Sequence, residues 1–121
     1  MEPLIVACLC AQWCGVCRDW RPDFEALASQ FPHARFIWID VEDAAQTSAD
    51  ALGELEPESF PVCAVQRGSH LLYCDVLPQQ PKTWERLIRK LAELDAMEAA
   101  QAAAKLHLHG KTGPDLRAFV R

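Results

Sequence analysis

The chain has 121 residues, of which 50% are apolar and 24% charged, with a net charge of −5. This suits a single globular domain that can bury a core without disulfide staples, and the acidic balance argues against a nucleic-acid binder, which presents a basic patch. No run of about 18 apolar residues is present, so no membrane span is expected; Met1-Glu2-Pro3 lacks the basic stretch of a secretory leader, which points to the cytoplasm.

"LIVACLC" (Leu4–Cys10) is a continuous apolar run and predicts a strand buried on both faces. From Gly15 to about Phe31 a helix is expected, because Trp20, Phe24, Leu27, Ala28 and Phe31 recur at helical spacing; Pro22 interrupts its hydrogen bonding. "ARFIWIDV" (Ala34–Val41) reads as a second buried strand. Ala44 to about Leu55 reads as a weaker helix broken by Gly53, and Glu56–Pro61 as a loop. "VCAVQ" and "LLYCDV" flank "RGSH" as a β-hairpin. A long helix is expected from about Lys82, with Trp84, Leu87, Ile88, Leu91 and Leu94 on its apolar stripe; after Glu98 the stripe fades into "AAQAAAK". The order β-α-β, α, β-β-α predicts a mixed four-stranded sheet between helices, an α/β fold over residues 1–95, with a helical extension and tail over 96–121.

Cys14 and Cys17 stand where the first strand turns into the first helix. In a reducing compartment a CxxC pair is catalytic or metal-binding. Residues i and i+3 share a helix face, so the two sulfurs can approach bonding distance. A helix N-terminus presents unpaired N–H groups and partial positive charge, and both favour a thiolate. Position then makes Cys14 the attacking nucleophile and Cys17 the resolving thiol.

"WCGVC" (Trp13–Cys17) resembles the active-site motif of thioredoxins, and its surroundings agree: the strand before it, Pro22 in the helix, the acidic end of "FIWIDVED" and the "SFPV" loop. The resemblance covers roughly Leu4 to Leu94. It implies a thioredoxin-like fold that lacks the N-terminal strand and helix of full-length members. It also implies a cis Pro61, with Phe60 offering its backbone to an extended substrate and Trp13, Gly15 and Val16 bordering the same groove. The implied activity is reduction or exchange of disulfides in protein substrates, in the service of cell redox homeostasis. No bound cofactor is implied, since a Cys14–Cys17 dithiol/disulfide is the redox centre; electrons come from a reductase or a small thiol.

Four departures from the family pattern stand out. Val16 replaces the proline between the cysteines, which implies a less reducing couple. The buried acid and lysine of the usual proton relay fall at Cys8 and Trp38, so either water serves, or Asp19, Glu42 or another nearby acid substitutes, or turnover is slow. With the first strand absent, "ARFIWIDV" becomes a sheet edge that the C-terminal extension or a second copy of the chain would cover. "LPQQP" (Leu77–Pro81) replaces the glycines that line the substrate groove.

Two other readings compete. One is a non-catalytic thioredoxin-fold adaptor or chaperone-like binding module. The other is a zinc module using Cys8, Cys10, Cys14 and Cys17; against it, Cys8 and Cys10 fall on one face of a buried strand and read as small apolar fillers. Cys63 and Cys74 on the hairpin read as core. His33, His70, His107 and His109 show no metal spacing with the cysteines, so no metal site is expected.

Overall fold

The structure, a computed structural model, describes residues 2–47, 49–54, 59–106, 108 and 112–120. Strand β1 (Leu4–Cys10) is buried along its whole length. It pairs in parallel with β2 (Arg35–Asp40) and antiparallel with β3 (Val62–Arg67), which forms a hairpin with β4 (His70–Val76). The sheet order is β2-β1-β3-β4, the mixed four-stranded sheet read from the sequence.

Alternation along β1 divides the core. Val6, Cys8 and Cys10 face one layer, with Trp20, Phe24 and Leu27 of helix α1 (Gly15–Ala28) and Trp84, Ile88 and Leu91 of helix α4 (Pro81–Ala92). Trp84 binds this layer together: its ring lies 5.1 Å from Trp20 and 5.7 Å from Phe24, and its indole N–H donates to the Pro78 carbonyl at 2.8 Å. Ile5, Ala7 and Leu9 face the other layer, with Ile39, Ala44, Leu52, Val62, Ala64 and Leu116.

Helix α1 ends at Ala28, three residues before the expected Phe31. Pro32 disfavours helical geometry at the residue before it, and Ser29 closes the end by donating its hydroxyl to the Ala26 carbonyl at 2.7 Å. The next helix starts earlier than expected. The Asp40 carboxylate accepts from the backbone N–H groups of Glu42 and Asp43, both at 3.0 Å, and so caps helix α2 (Val41–Thr47) directly off β2. A separate turn, α3 (Ala49–Leu52), ends at Gly53, whose φ of 74° suits glycine. Leu55 and residues 56–58 of the expected loop lie outside the described residues.

The long C-terminal helix is two helices. Asp95 caps α5 (Ala96–Lys105) and exchanges hydrogen bonds with Glu98, a capping box that stops α4 and restarts the chain. Arg67, buried on β3, donates to the carbonyls of Ala92 and Leu94 and holds that break in place.

The extension packs onto the domain. Helix α5 lies against β4, with Ala99 buried. A 3-10 helix (Leu116–Phe119) crosses the second face of the sheet, where Leu116 is 0% exposed. Three backbone or side-chain ties fix this segment: Asp115 N–H to Ala51 carbonyl at 2.8 Å, Glu54 N–H to Thr112 carbonyl at 2.8 Å, and Leu116 N–H to Gln66 Oε1 at 2.7 Å. The amide of Gln66 also donates to Asp115 Oδ1 at 2.9 Å. Coverage therefore falls on the second face and along β4. Among the described residues, β2 pairs only with β1, so its outer edge stays open.

This closure can be tested by substitution, by deletion and by pH. Leu116→Ala should lower the free energy of unfolding by about 2–5 kcal/mol, read from urea titration, because it empties a fully buried site; deleting 96–121 should uncover the part of the second face under Leu116 and cause aggregation. Asp115 supplies a pH test. Hydrogen bonding from Arg117, opposed by partial burial and aided by Gln66, lowers its carboxyl to about 2. An unfolded aspartate titrates near about 3.9, so this contribution is full above that value and is lost as pH falls toward about 2. Asp115→Asn should flatten the loss of stability across that window in acid titrations followed by circular dichroism.

Candidate active site

The end of β1 leads in four residues to the start of α1. Cys14 is the residue before the first helical turn, in extended geometry (φ −82°, ψ 112°), with its N–H bonded to the Ala11 carbonyl at 3.0 Å. Its carbonyl accepts from Arg18 N–H at 3.3 Å, so the helix begins on it. Its thiol is free and half-buried, at the mouth of the unpaired N–H groups of α1. Gly15 needs no special backbone: a Cβ there would meet only Arg18 Nη2, at 3.9 Å.

Around Cys14 lies an apolar rim. Trp13 is 68% exposed, and its ring meets Phe60 edge-on at 5.8 Å. The Phe60–Pro61 peptide bond is cis. Pro61 is buried one residue before Val62, which pairs with Leu9 near the end of β1, and its carbonyl accepts from Leu77 N–H at 3.1 Å. Val16 and Val76 are also exposed, and the register Val62–Val76 places Val76 at this same end of the sheet. Trp13, Gly15, Val16, Phe60 and Pro61 thus gather at the end of the sheet that carries Cys14.

The sulfur pairing differs from the sequence reading. Cys17, 1% exposed, forms a disulfide with Cys10, also 1% exposed, and Cys14 stays a free thiol. The physical reason is the local geometry. Cys10 ends β1 on the face that α1 covers, and the first turn of α1 drops Cys17 onto that strand end, with Cα atoms 5.9 Å apart, inside the range a disulfide spans. Cys10 was read as an apolar filler. Strand alternation places Cys10 on the face that α1 covers, but the rotation of α1 that turns Cys17 toward it is not legible from spacing.

Cys8 sits beside that bond. With Cys10 oxidised, the Cys8 thiol is the donor in the 3.6 Å contact between their sulfurs. Burial holds Cys8 far above the ordinary thiol range. The Trp20 indole, which closes no hydrogen bond of good geometry, and Arg21 oppose that only in part. Cys8 pairs with Trp38 across the β1–β2 ladder, so the two relay positions do meet, as a thiol and an indole. Trp38 serves packing: Phe24 lies 5.7 Å away and the Arg21 guanidinium 5.0 Å over its ring. Asp19 and Glu42 are exposed. Cys63 pairs with Cys8 across β1–β3, and burial raises it well above its ordinary value; Cys74, on the other face, is pushed up to about 12 by burial and by Asp75. Among the described residues no group of three or more His, Cys, Asp or Glu is arranged to hold a metal ion, and His107 and His109 lie outside them.

The thioredoxin family model matches residues 1–67, more than half of the chain and the whole stretch from β1 to β3. The chain belongs to the thioredoxin family. Its curated relatives include a thioredoxin H-type of Fagopyrum esculentum, 40% identical over 58 residues (48% of this chain, 47% of the relative). A thioredoxin of Gallus gallus is 44% identical over 43 residues (36% and 41%). The chain spans about half the length of the curated relatives it matches. Among solved structures it resembles the thioredoxin of Fasciola hepatica, with a TM-score of 0.57, 26% identity, and 74% of this chain and 81% of that one covered. It also resembles oxidised mitochondrial thioredoxin 3 of Saccharomyces cerevisiae, with a TM-score of 0.61, 22% identity, and 75% and 81% covered. The matched residues include Cys8, Cys10, Cys14, Cys17, Cys63 and Pro61; Cys74, α5 and the 3-10 helix lie beyond them.

Burial orders the reactivity of the thiols. Brief treatment of the native protein with a maleimide should label Cys14 alone. Cys8, Cys63 and Cys74 should react only after denaturation, as peptide mass spectrometry would show. Labelling of Cys8 in the native state would contradict the arrangement.

Proposed function

We propose that the protein is a thiol–disulfide oxidoreductase acting on disulfides of other proteins. The observation that carries this reading is the free Cys14 thiol at the N-terminus of α1, ringed by Trp13, Phe60 and Pro61. The Cys14 thiolate attacks one sulfur of a substrate disulfide; that bond breaks, the other substrate sulfur leaves as a thiolate, and a mixed disulfide forms on Cys14. In the reduced protein Cys17 then attacks the Cys14 sulfur and frees the substrate as a dithiol. A reductase or a small thiol returns two electrons to the protein. The work takes place in the cytoplasm.

The apolar rim supports a protein substrate. Trp13 and Phe60 offer an extended chain a dry wall beside the nucleophile, and exposed Val16 and Val76 widen it. Proton transfer runs without the family's relay. Burial keeps Cys8 protonated at neutral pH, so it cannot take the proton of Cys17; solvent at the half-buried Cys14 supplies the acceptor. Resolution is therefore the slower step.

A second reading, a binding module that uses the rim without chemistry, is favoured by one observation: Cys17 is occupied by Cys10. Insulin reduction driven by dithiothreitol separates the two. The wild type should accelerate it, Cys14→Ser should bring the rate down to that of dithiothreitol alone, and Cys17→Ser should accumulate a mixed disulfide with insulin. A wild type no faster than dithiothreitol alone would leave the binding module as the better reading.

A further inference from the structure

The reaction just described has no use for Cys10, yet Cys10 holds Cys17. Cys17 is the shared neighbour of two thiols. Cys14 lies one helical turn away at the half-buried rim, and Cys10 lies beneath on the end of β1, in the dry layer. Thiol–disulfide exchange requires the attacking sulfur to approach the central sulfur opposite the leaving one. Cys10 is buried on the sheet side of Cys17 and Cys14 is half-buried at the rim, so Cys17 joins the buried thiol to the accessible one.

Resting on the reading above, we infer that Cys10 is a third redox cysteine, which moves the active-site disulfide inward from Cys14–Cys17 to Cys10–Cys17. The Cys10 thiolate attacks Cys17 Sγ, the Cys14–Cys17 bond breaks, and Cys14 leaves as the thiolate. One S–S bond is lost and one gained, and no electrons enter or leave. The proton that Cys10 gives up as it attacks is taken up by the departing Cys14. Cys14 is the better leaving group because water reaches it at the rim, whereas Cys10 and Cys17 are each 1% exposed. The product bond is shielded from thiols in solution, and the Cys8 thiol donates to its Cys10 sulfur from 3.6 Å.

The exchange changes the chemistry of the exposed site. With Cys17 held below, Cys14 acts as a monothiol. It attacks a low-molecular-weight disulfide, one thiol of which leaves as thiolate, and keeps the other as a mixed disulfide that no neighbour resolves. The substrate class of this oxidised form is therefore small disulfides and their mixed disulfides, alongside the protein disulfides met by the dithiol form.

The test uses the whole chain. Reduced protein is mixed with one equivalent of glutathione disulfide, quenched in acid at intervals, alkylated and mapped by peptide mass spectrometry. The wild type should show Cys14–Cys17 first, then its replacement by Cys10–Cys17, to at least a tenfold excess, with Cys14 alkylated. With further glutathione disulfide, glutathione should remain on Cys14. In Cys10→Ala the end point should be Cys14–Cys17, with no lasting glutathione. Persistence of Cys14–Cys17 in the wild type at equilibrium would overturn the inference, as would Cys10–Cys17 rising without passing through it. The wild-type time course decides the matter even where Cys10→Ala fails to fold. Failure of the proposed function is read separately, by the insulin assay.

Discussion

The site depends on β1 being dry on both faces and then running out. A strand with no wet side can alternate only between two apolar layers, so whatever its even-numbered residues are, they meet α1 and α4. Here those residues include Cys8 and Cys10. The same strand ends four residues before a helix that must start without a side-chain cap, and Cys14 stands at that start. One constraint thus sets up both the exposed thiol, with helix N–H groups around it, and a buried thiol directly under the helix's first turn.

Much of this was legible in the sequence. The unbroken apolar run of β1, the helical spacing of Trp20, Phe24 and Leu27, and the hairpin around Gly68 each carry one dominant signal, and each element appears where that signal lies. Boundaries were less legible because they are set by single polar side chains. Asp40 falls inside the strand expected over Ala34–Val41, yet it ends β2 and caps α2; Asp95 and Glu98 look like ordinary helix surface until their spacing is read as a capping box. At the site, spacing alone brings Cys14 and Cys17 together. What it cannot show is that Cys17 also faces the end of β1. That needs the rotation of α1 over the sheet, which is fixed by Trp20 and Phe24 packing on Trp84 and Trp38.

The sulfurs form a file. Cys63 pairs with Cys8 across the ladder, Cys8 touches Cys10, Cys10 is bonded to Cys17, and Cys14 stands one turn beyond at the rim. Small, polarizable side chains are good fillers where a strand, a helix and a neighbouring strand converge. Here the filler is chemically competent at one end of the file. Toward the other end it is held protonated by burial. The gradient in reactivity follows the gradient in exposure and calls for no added charge.

The closure of the second face has a consequence for how the chain reaches this state. Leu116 and Asp115 dock on Gln66, 50 and 49 residues earlier in the chain, while β1 and β3, which they cover, are made long before. Contacts so distant in sequence form late, since their loop-closure entropy must be met before they stabilise anything. As the polypeptide emerges from the ribosome, the sheet can assemble with its sulfur layer dry and the part of its second face under Leu116 still facing water. During that interval the nascent domain presents an apolar sheet face to every other chain nearby, and synthesis of the segment around Leu116 is what ends it.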